Sequence, residues 1–257
     1  MTMVDKNQTG RKSVPVARKH RKTICEPVRE HSVSVILPAL NEEQALPCVL
    51  DRVRALDAKD VILVDGGSHD ATASIAAGRV DRLIVQEGGL ARQLNAGAAV
   101  ATGDVLLFHY ADVRLEAGAL ASIARALDDP RVVAGAFRLA LDSSRCVFRF
   151  IAWAANLRNR TGFGPFGDQA IFVRRAVFEE LGGFVPGAVL EDLDLVLRLR
   201  RRGRFCLLRD RAVSSVRRWE QGGVLRTSWA HFRVSVYYWL GLRKRAARLK
   251  GRLMTRR

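Results

Sequence analysis

Apolar residues fall along the chain in short runs separated by clusters of turn formers. VSVILP (33–38) is almost wholly apolar and β-branched, as a strand covered on both faces must be. The turn NEEQA follows, and Pro47 then stands where the first turn of a helix tolerates it. Leu46, Val49, Leu50, Val53 and Leu56 recur at helical spacing. DVILVD (60–65) reads as a second strand and GGSHD as a turn, with Asp70 placed to cap a helix over 71–77. RLIVQ (82–86) is a third strand, and GGLARQLNAGAAVA (88–101) a helix of small residues able to pack closely on a sheet. GDVLLFH (103–109) is the fourth strand. Strands and helices alternating this regularly predict a parallel sheet with right-handed crossovers.

The second half is less regular. A helix over about 116–128 precedes the strand VVAGAFRLAL (132–141), and 143–160 is helical. GFGPFGD (162–168) is a glycine-rich loop, QAIFVR (169–174) a strand, and FEEL (178–181) part of a short helix. EDLDLVLRLRRRG (191–203) is a helix whose acidic first turn suits the positive end of its dipole, with Gly203 as its stop. RFCLL (204–208) and AVSSV (212–216) read as two short strands. No internal repeat is present. The expected organisation is a flexible basic tail over 1–31, one α/β domain over 32–220 and a C-terminal helical segment over 221–257.

Composition narrows the class. The 257 residues are 48% hydrophobic and 27% charged, ample for a buried core. No apolar run approaches the ~20 residues of a bilayer span, and no apolar segment precedes a small-residue cleavage site near the N-terminus. A spanning protein and a secretory leader are therefore not expected. The four cysteines, at 25, 48, 146 and 206, form no CxxC pair and read as reduced thiols of a cytosolic protein. The net charge of +17 sits mostly at the ends. Residues 1–31 carry eight Lys/Arg against three acids, and 233–257 carry nine Lys/Arg and no acid, which leaves the middle near neutral. A nucleic-acid-binding domain more often carries its basic stripe on the folded body, so no specific nucleic acid is expected. Basic ends suit contact with an anionic surface or simple solvation.

Ligands of open α/β sheets bind beyond the carboxyl ends of the strands. Polar groups cluster there three times: Asn41 and Glu42 after the first strand, Asp65 at the end of the second, Asp112 after the fourth. Singly each is an ordinary cap or turn former. Together they predict a pocket. It is not a dinucleotide site or a P-loop, because neither GxGxxG nor GxxxxGK[ST] is present. Carboxylates at strand ends suit ribose hydroxyls and a hard divalent cation.

Five segments in order carry a resemblance: SVILPALNEE, VILVDGGSHDAT, GLARQLNAGAAVATGDVLLFHYAD, GPFGDQAIFVRRAVFEELGGF and LEDLDLVLRLRRRGR. The chain resembles a family 2 glycosyltransferase of the GT-A fold, closest to the short bacterial branch labelled selenodomain- or radical-SAM-associated transferase 2. RRWEQGGVLRTSWAHFRV extends the likeness to about residue 240. The resemblance implies a Rossmann-like, mostly parallel sheet flanked by helices, and inverting sugar transfer from a nucleotide-diphosphate sugar to an unidentified hydroxyl. It implies nucleotide contacts at Pro38, Asn41, Glu42, Asp65, Arg92 and Asn95. Asp70 matches a further acid of the family, with helix capping an equal alternative. Gly167, Asp168, Gln169 and Glu191 would border acceptor and sugar. Arg217, Arg218 and Trp219 would cover the donor phosphates. Asp192 would be the base. The family's D-x-D metal motif is here Tyr110–Ala111–Asp112, which leaves Asp112 as the protein ligand for Mg²⁺ or Mn²⁺.

Rival classes fare worse. A serine hydrolase lacks its G-x-S-x-G elbow, and a nucleotidyltransferase would want a glycine- and lysine-rich loop where ALNEEQALP stands. A nucleic-acid-binding module is favoured by the basic ends but opposed by the acidic pocket. Finally, Trp229, Phe232, Val236, Trp239 and Leu240 recur at helical spacing before Arg243, Lys244, Arg245, Arg248, Lys250 and Arg252. Aromatic residues beside a basic cluster suit a membrane–water interface, so an anionic face of the cytoplasmic membrane is a candidate partner. Packing of the aromatic face on the domain is the alternative.

Overall fold

The computed structural model describes residues 31–160 and 164–224, with scattered positions between 229 and 249. Strand and helix alternate in the first half as the apolar runs predict: β1 (Val33–Ala39), α1 (Leu46–Arg54), β2 (Asp60–Asp65), α2 (Thr72–Ala76), β3 (Arg82–Val85), α3 (Leu90–Val100) and β4 (Val105–Phe108). Every residue of β1 and β2 is buried, because both faces of the sheet are covered. There follow β5 (Val113–Leu115), α4 (Ala119–Leu127), β6 (Val132–Leu141), α5 (Cys146–Arg160), a 3-10 turn (Gly167–Gln169), β7 (Ile171–Arg174), α6 (Arg175–Glu180), α7 (Glu191–Arg202), β8 (Arg204–Ser214) and α8 (Arg217–Gly222).

The eight strands form one sheet in the order β3-β2-β1-β4-β7-β6-β8-β5. β3, β2, β1 and β4 run parallel, and β6 is parallel to β8. β7 is antiparallel to β4 and β6, and β5 to β8. The result is the expected mostly parallel α/β sheet. Side chains of β1 alternate between its faces. Val35 and Leu37 join α1 and α4 through Leu50, Val53, Ile123 and Leu127, whereas Ile36 joins α3, α6 and α7 through Leu94, Phe178 and Leu199. The small residues of α3 let it lie close. A Cβ added to Gly97 would stand 2.5 Å from Ile36 Cγ2.

Two expectations need correcting. The two strands expected over 204–216 are the single strand β8. Ala136 of β6 pairs with Leu207, but Arg138 pairs with Arg211, so β8 carries extra residues in a bulge where the polar RDR interrupts its apolar pattern. The helix expected over 71–77 is the shorter α2, though Asp70 does serve its start: Oδ1 accepts from Thr72 N at 2.9 Å.

Among the described residues no helix is long and apolar enough to cross a membrane. In the C-terminal segment Val234 is buried, but Trp229 and Leu240 of the expected apolar face are exposed. The basic tail before His31, Phe232, Trp239, the Arg218 side chain and the basic cluster apart from Arg245 lie outside the described residues.

Candidate active site

The loops leaving β1 and β2 are stitched to each other. Asn41 adopts a left-handed backbone (φ 53°), which asparagine tolerates because its short amide bonds locally. Its N–H donates to Ser68 Oγ (2.9 Å), and its Oδ1 accepts from His69 N (2.9 Å). Glu42 N donates to Thr72 Oγ1 (2.8 Å), Glu43 N to Asp70 Oδ2 (3.2 Å), and Ala71 N to a Glu43 carboxylate oxygen (3.1 Å). Asp65 is buried at the last position of β2. It accepts from Ser68 N at 3.0 Å and from the Ser68 hydroxyl. Pro38 lies within β1, opposite Val64. These expected nucleotide residues are thus gathered at two adjoining strand ends.

Gln93, which the apolar pattern did not single out, completes this corner. Its buried Nε2 donates to Ala39 O and Val64 O at 3.2 Å each, fastening α3 to the ends of β1 and β2. The available signal was an amide between Ala91 and Leu94 on the helix face that packs on the sheet. Gly66 is required beside it, since an added Cβ would fall 2.6 Å from Gln93 Nε2. Arg92 is exposed, with its side chain along Gly88. Asn95 is turned elsewhere. Its Nδ2 donates to Phe184 O (2.8 Å) and its Oδ1 accepts from Phe184 N (2.9 Å), so both ends of its amide hold the segment before α7.

That segment delivers Glu191, Asp192 and Asp194 to the first turn of α7. Asp194 is committed to Arg198 at 2.9 Å. Asp192 accepts from the Tyr110 hydroxyl at 2.8 Å on Oδ1 and from Gly167 N at 3.0 Å on Oδ2. Tyr110, the first residue of the Tyr110–Ala111–Asp112 triplet, is therefore directed at Asp192. Its ring lies against Gly167, where an added Cβ would come within 2.1 Å of Tyr110 Cε2. Burial first, then the charge of Asp192, push the phenol well above its usual 10, so it remains a donor. Gln169 is fully buried: Nε2 donates to Phe137 O (2.9 Å) and Oε1 accepts from Asn159 Nδ2 (3.1 Å). It braces the 3-10 turn from inside. Asp168 lies in the field of Arg158, whose guanidinium stacks 4.6 Å from the Phe166 ring centre.

A cleft of about 210 Å³ brings together Glu42, Arg52, Asp112, Arg114, Asp142 and Arg217. Glu42, Asp112 and Arg217 were expected at the donor, and here they share a wall with basic and acidic neighbours. Trp219 belongs to a different environment, packed with Phe148 and Val216. Beside the cleft His109 is buried, and burial lowers its pKa to about 4 against the opposing pull of Asp112. Among the described residues no three His, Cys, Asp or Glu side chains gather into a metal cage. The donor set fits a different kind of site. Asp112 lines an open cleft, where its carboxylate could give a Mg²⁺ or Mn²⁺ ion one hard oxygen and diphosphate and water would give the rest.

Residues 34–181 match the family model of glycosyl transferase family 2. A PGL/p-HBAD biosynthesis glycosyltransferase of Mycobacterium tuberculosis H37Rv is 34% identical over 188 residues, 64% of this chain and 68% of that protein. An uncharacterized glycosyltransferase of Mycobacterium bovis is 35% identical over 98 residues, 38% of this chain; the chain spans 44% of that relative's length. Staphylococcus aureus TarS 1–349 shares the fold at a TM-score of 0.59 and 17% identity, over 73% of this chain and 61% of that one. The mannosyltransferase PcManGT of Pyrobaculum calidifontis, in complex with GDP-Man and Mn²⁺, does so at 0.57 and 19%, over 88% and 74%. The GT-A fold is thereby borne out, and these relatives do not favour a nucleic-acid-binding module. With more than half of its length inside the family model, the chain belongs to glycosyl transferase family 2.

Proposed function

We propose that this chain transfers a hexose from a nucleotide-diphosphate sugar to a hydroxyl acceptor with inversion, and that Asp192 is the base. The observation that carries the reading is the double hold on Asp192. Tyr110 Oη–H and Gly167 N–H fix its two oxygens at the head of α7, within a chain of this family. The acceptor oxygen attacks the anomeric carbon and its proton passes to Asp192. The bond from that carbon to the phosphate oxygen breaks, and the nucleoside diphosphate leaves. The stitched loops of Asn41, Glu42 and Asp65 take the base and ribose, with Arg92 at their rim. Arg217 and Arg218 meet the diphosphate, for which the guanidinium fork is suited. Asp112 would hold Mg²⁺ or Mn²⁺, which offsets diphosphate charge when bound. Gly167, Asp168 and Glu191 border the sugar and acceptor, Gln169 shapes their turn, and Asn95 and Trp219 support the site through packing.

The donor complexes of TarS with UDP-GlcNAc and of PcManGT with GDP-Man support a nucleotide sugar here. The order of motifs through RRWEQGGVLRTSWAHFRV supports the short bacterial branch. We assign the acceptor to the cytoplasmic membrane face, because residues 233–257 carry nine Lys/Arg and no acid. The test begins with thermal shifts against UDP, GDP, ADP and dTDP sugars with Mn²⁺, where the matching donor stabilises the protein by mass action. With that donor, Asp192→Asn should keep the shift yet lower turnover by ~10²-fold or more. Wild-type turnover in this variant would remove Asp192 from the mechanism.

A further inference from the structure

Helix α5 has one face that the fold uses and one that it does not. Inward, Phe148 is fully buried and packs with Val147 and Ile151 against Val216 and Trp219. Asn156 fixes the helix across β6, accepting from Leu139 N and donating to Leu139 O at 2.9 Å each. Outward, Phe150, Trp153 and Leu157 are 64%, 58% and 45% exposed. Their spacing sets them on one stripe. The Phe150 and Trp153 rings pair at 5.6 Å. Exposed apolar residues scattered singly are ordinary, but an aromatic pair continued along a helix marks a contact surface.

The charge around the stripe selects its occupant. Residues 143–160 carry four arginines and no acid, and Arg149, one position before Phe150 and four before Trp153, is exposed beside the stripe. A second copy pairing through this face would set arginines against arginines. An anionic bilayer offers apolar depth for the rings and phosphate for the guanidinium groups, the pairing an interfacial helix uses. The far end of α5 reaches the acceptor side of the site. Asn159 Nδ2 bonds Gln169 Oε1 (3.1 Å), and Arg158 stacks on Phe166 (4.6 Å), beside the turn whose Gly167 N–H holds Asp192. Six residues of helical rise separate Trp153 from Asn159, about 9 Å along the axis.

We propose that the Phe150–Trp153–Leu157 face of α5 docks on an anionic lipid surface and brings the acceptor side of the site to headgroup level. Delivery of an acceptor rests on the transfer reading above; the docking does not. Full-length protein is floated with phosphatidylcholine vesicles with and without 30 mol% phosphatidylglycerol, at low and at 0.5 M salt. Wild type should float with the anionic vesicles at low salt, and Phe150→Glu/Trp153→Glu should lower its partition by roughly tenfold or more. The double variant should keep its urea midpoint, and Val85→Glu, on the exposed edge strand β3, should float as wild type does. Two results overturn the proposal: no flotation of wild type, whether or not it forms a solution dimer that the double variant dissolves, or equal flotation of the double variant. A wild type that floats but transfers sugar from none of the UDP, GDP, ADP or dTDP donors would sink the transfer reading and leave the docking standing.

Discussion

Tyr110 donates a hydrogen bond to the Asp192 carboxylate at 2.8 Å. Along the chain it is a deficit, the missing first acid of a metal motif. In the fold its hydroxyl meets Asp192, 82 positions away, and no local pattern announces a partner that distant. Burial keeps the phenol protonated, so it donates to the carboxylate throughout the working pH range. A donor to a carboxylate favours its ionised, base-competent form. Tyr110→Phe should therefore move the acid limb of the kcat profile to higher pH and lower kcat by about tenfold, with the donor KM unchanged. An unmoved limb would reduce Tyr110 to packing against Gly167. His109 makes stability depend on pH. Its folded pKa is near 4, below the usual 6.5. Above pH 6.5 both states are neutral there and it costs nothing. As pH falls towards 4 the unfolded chain binds a proton that the native chain refuses, so stability drops by about 3 kcal/mol. Urea midpoints of wild type and His109→Gln, compared at pH 7 and 4.5, should diverge, with the wild type losing more.

At the scale of elements, legibility followed burial. β1, β2 and β4 are covered on both faces, so their sequences are continuous apolar runs and were readable without any partner. α7 announced itself by acids in its first turn and Arg200–Arg202 in its last. Three-residue β5 carries too short a pattern, and the bulge of β8 hid one strand as two. Side chains that join elements were the least legible. Gln93 and Asn95 are the fourth and sixth residues of α3 and look alike in sequence, yet one bonds β1 and β2 and the other the segment before α7. Asn95 clasps Phe184, whose ring meets Phe108 edge-on at 4.9 Å, so the clasp connects α3 to the approach of Asp192. Asn95→Ala leaves the Phe184 N–H and C=O without these partners. It should cost about 1–3 kcal/mol in urea unfolding. Its donor KM should stay within twofold; a large KM increase with unchanged stability would return Asn95 to the nucleotide site.

The whole molecule adds what no element holds. Strand order is set by long-range pairing, and the insertion of antiparallel β7 between β4 and β6 could not be read from alternation alone. That order decides which loops become neighbours. It puts the ends of β1 and β2 together and brings the segment after β8 against the one after β4, where Ser215 N donates to Asp112 O at 3.0 Å. Arg217 thereby shares a cleft with Asp112 and Glu42 from opposite ends of the sequence. One consequence concerns the metal. If Mg²⁺ or Mn²⁺ binds at Asp112 as proposed, it would be shared with the donor diphosphate, because among the described residues no three His, Cys, Asp or Glu side chains gather into a protein cage. Mg²⁺ and Mn²⁺ accept such sites because they retain waters readily. Cation affinity should then be weak without nucleotide and strengthen when the nucleoside diphosphate is present, which isothermal titration with Mn²⁺ can measure in both conditions. Asp112→Ala should remove that strengthening and lower kcat/KM by roughly 10²-fold or more, and EDTA should silence the wild type. Full activity in EDTA would instead mean that Arg217 and its neighbours carry the diphosphate charge without a metal.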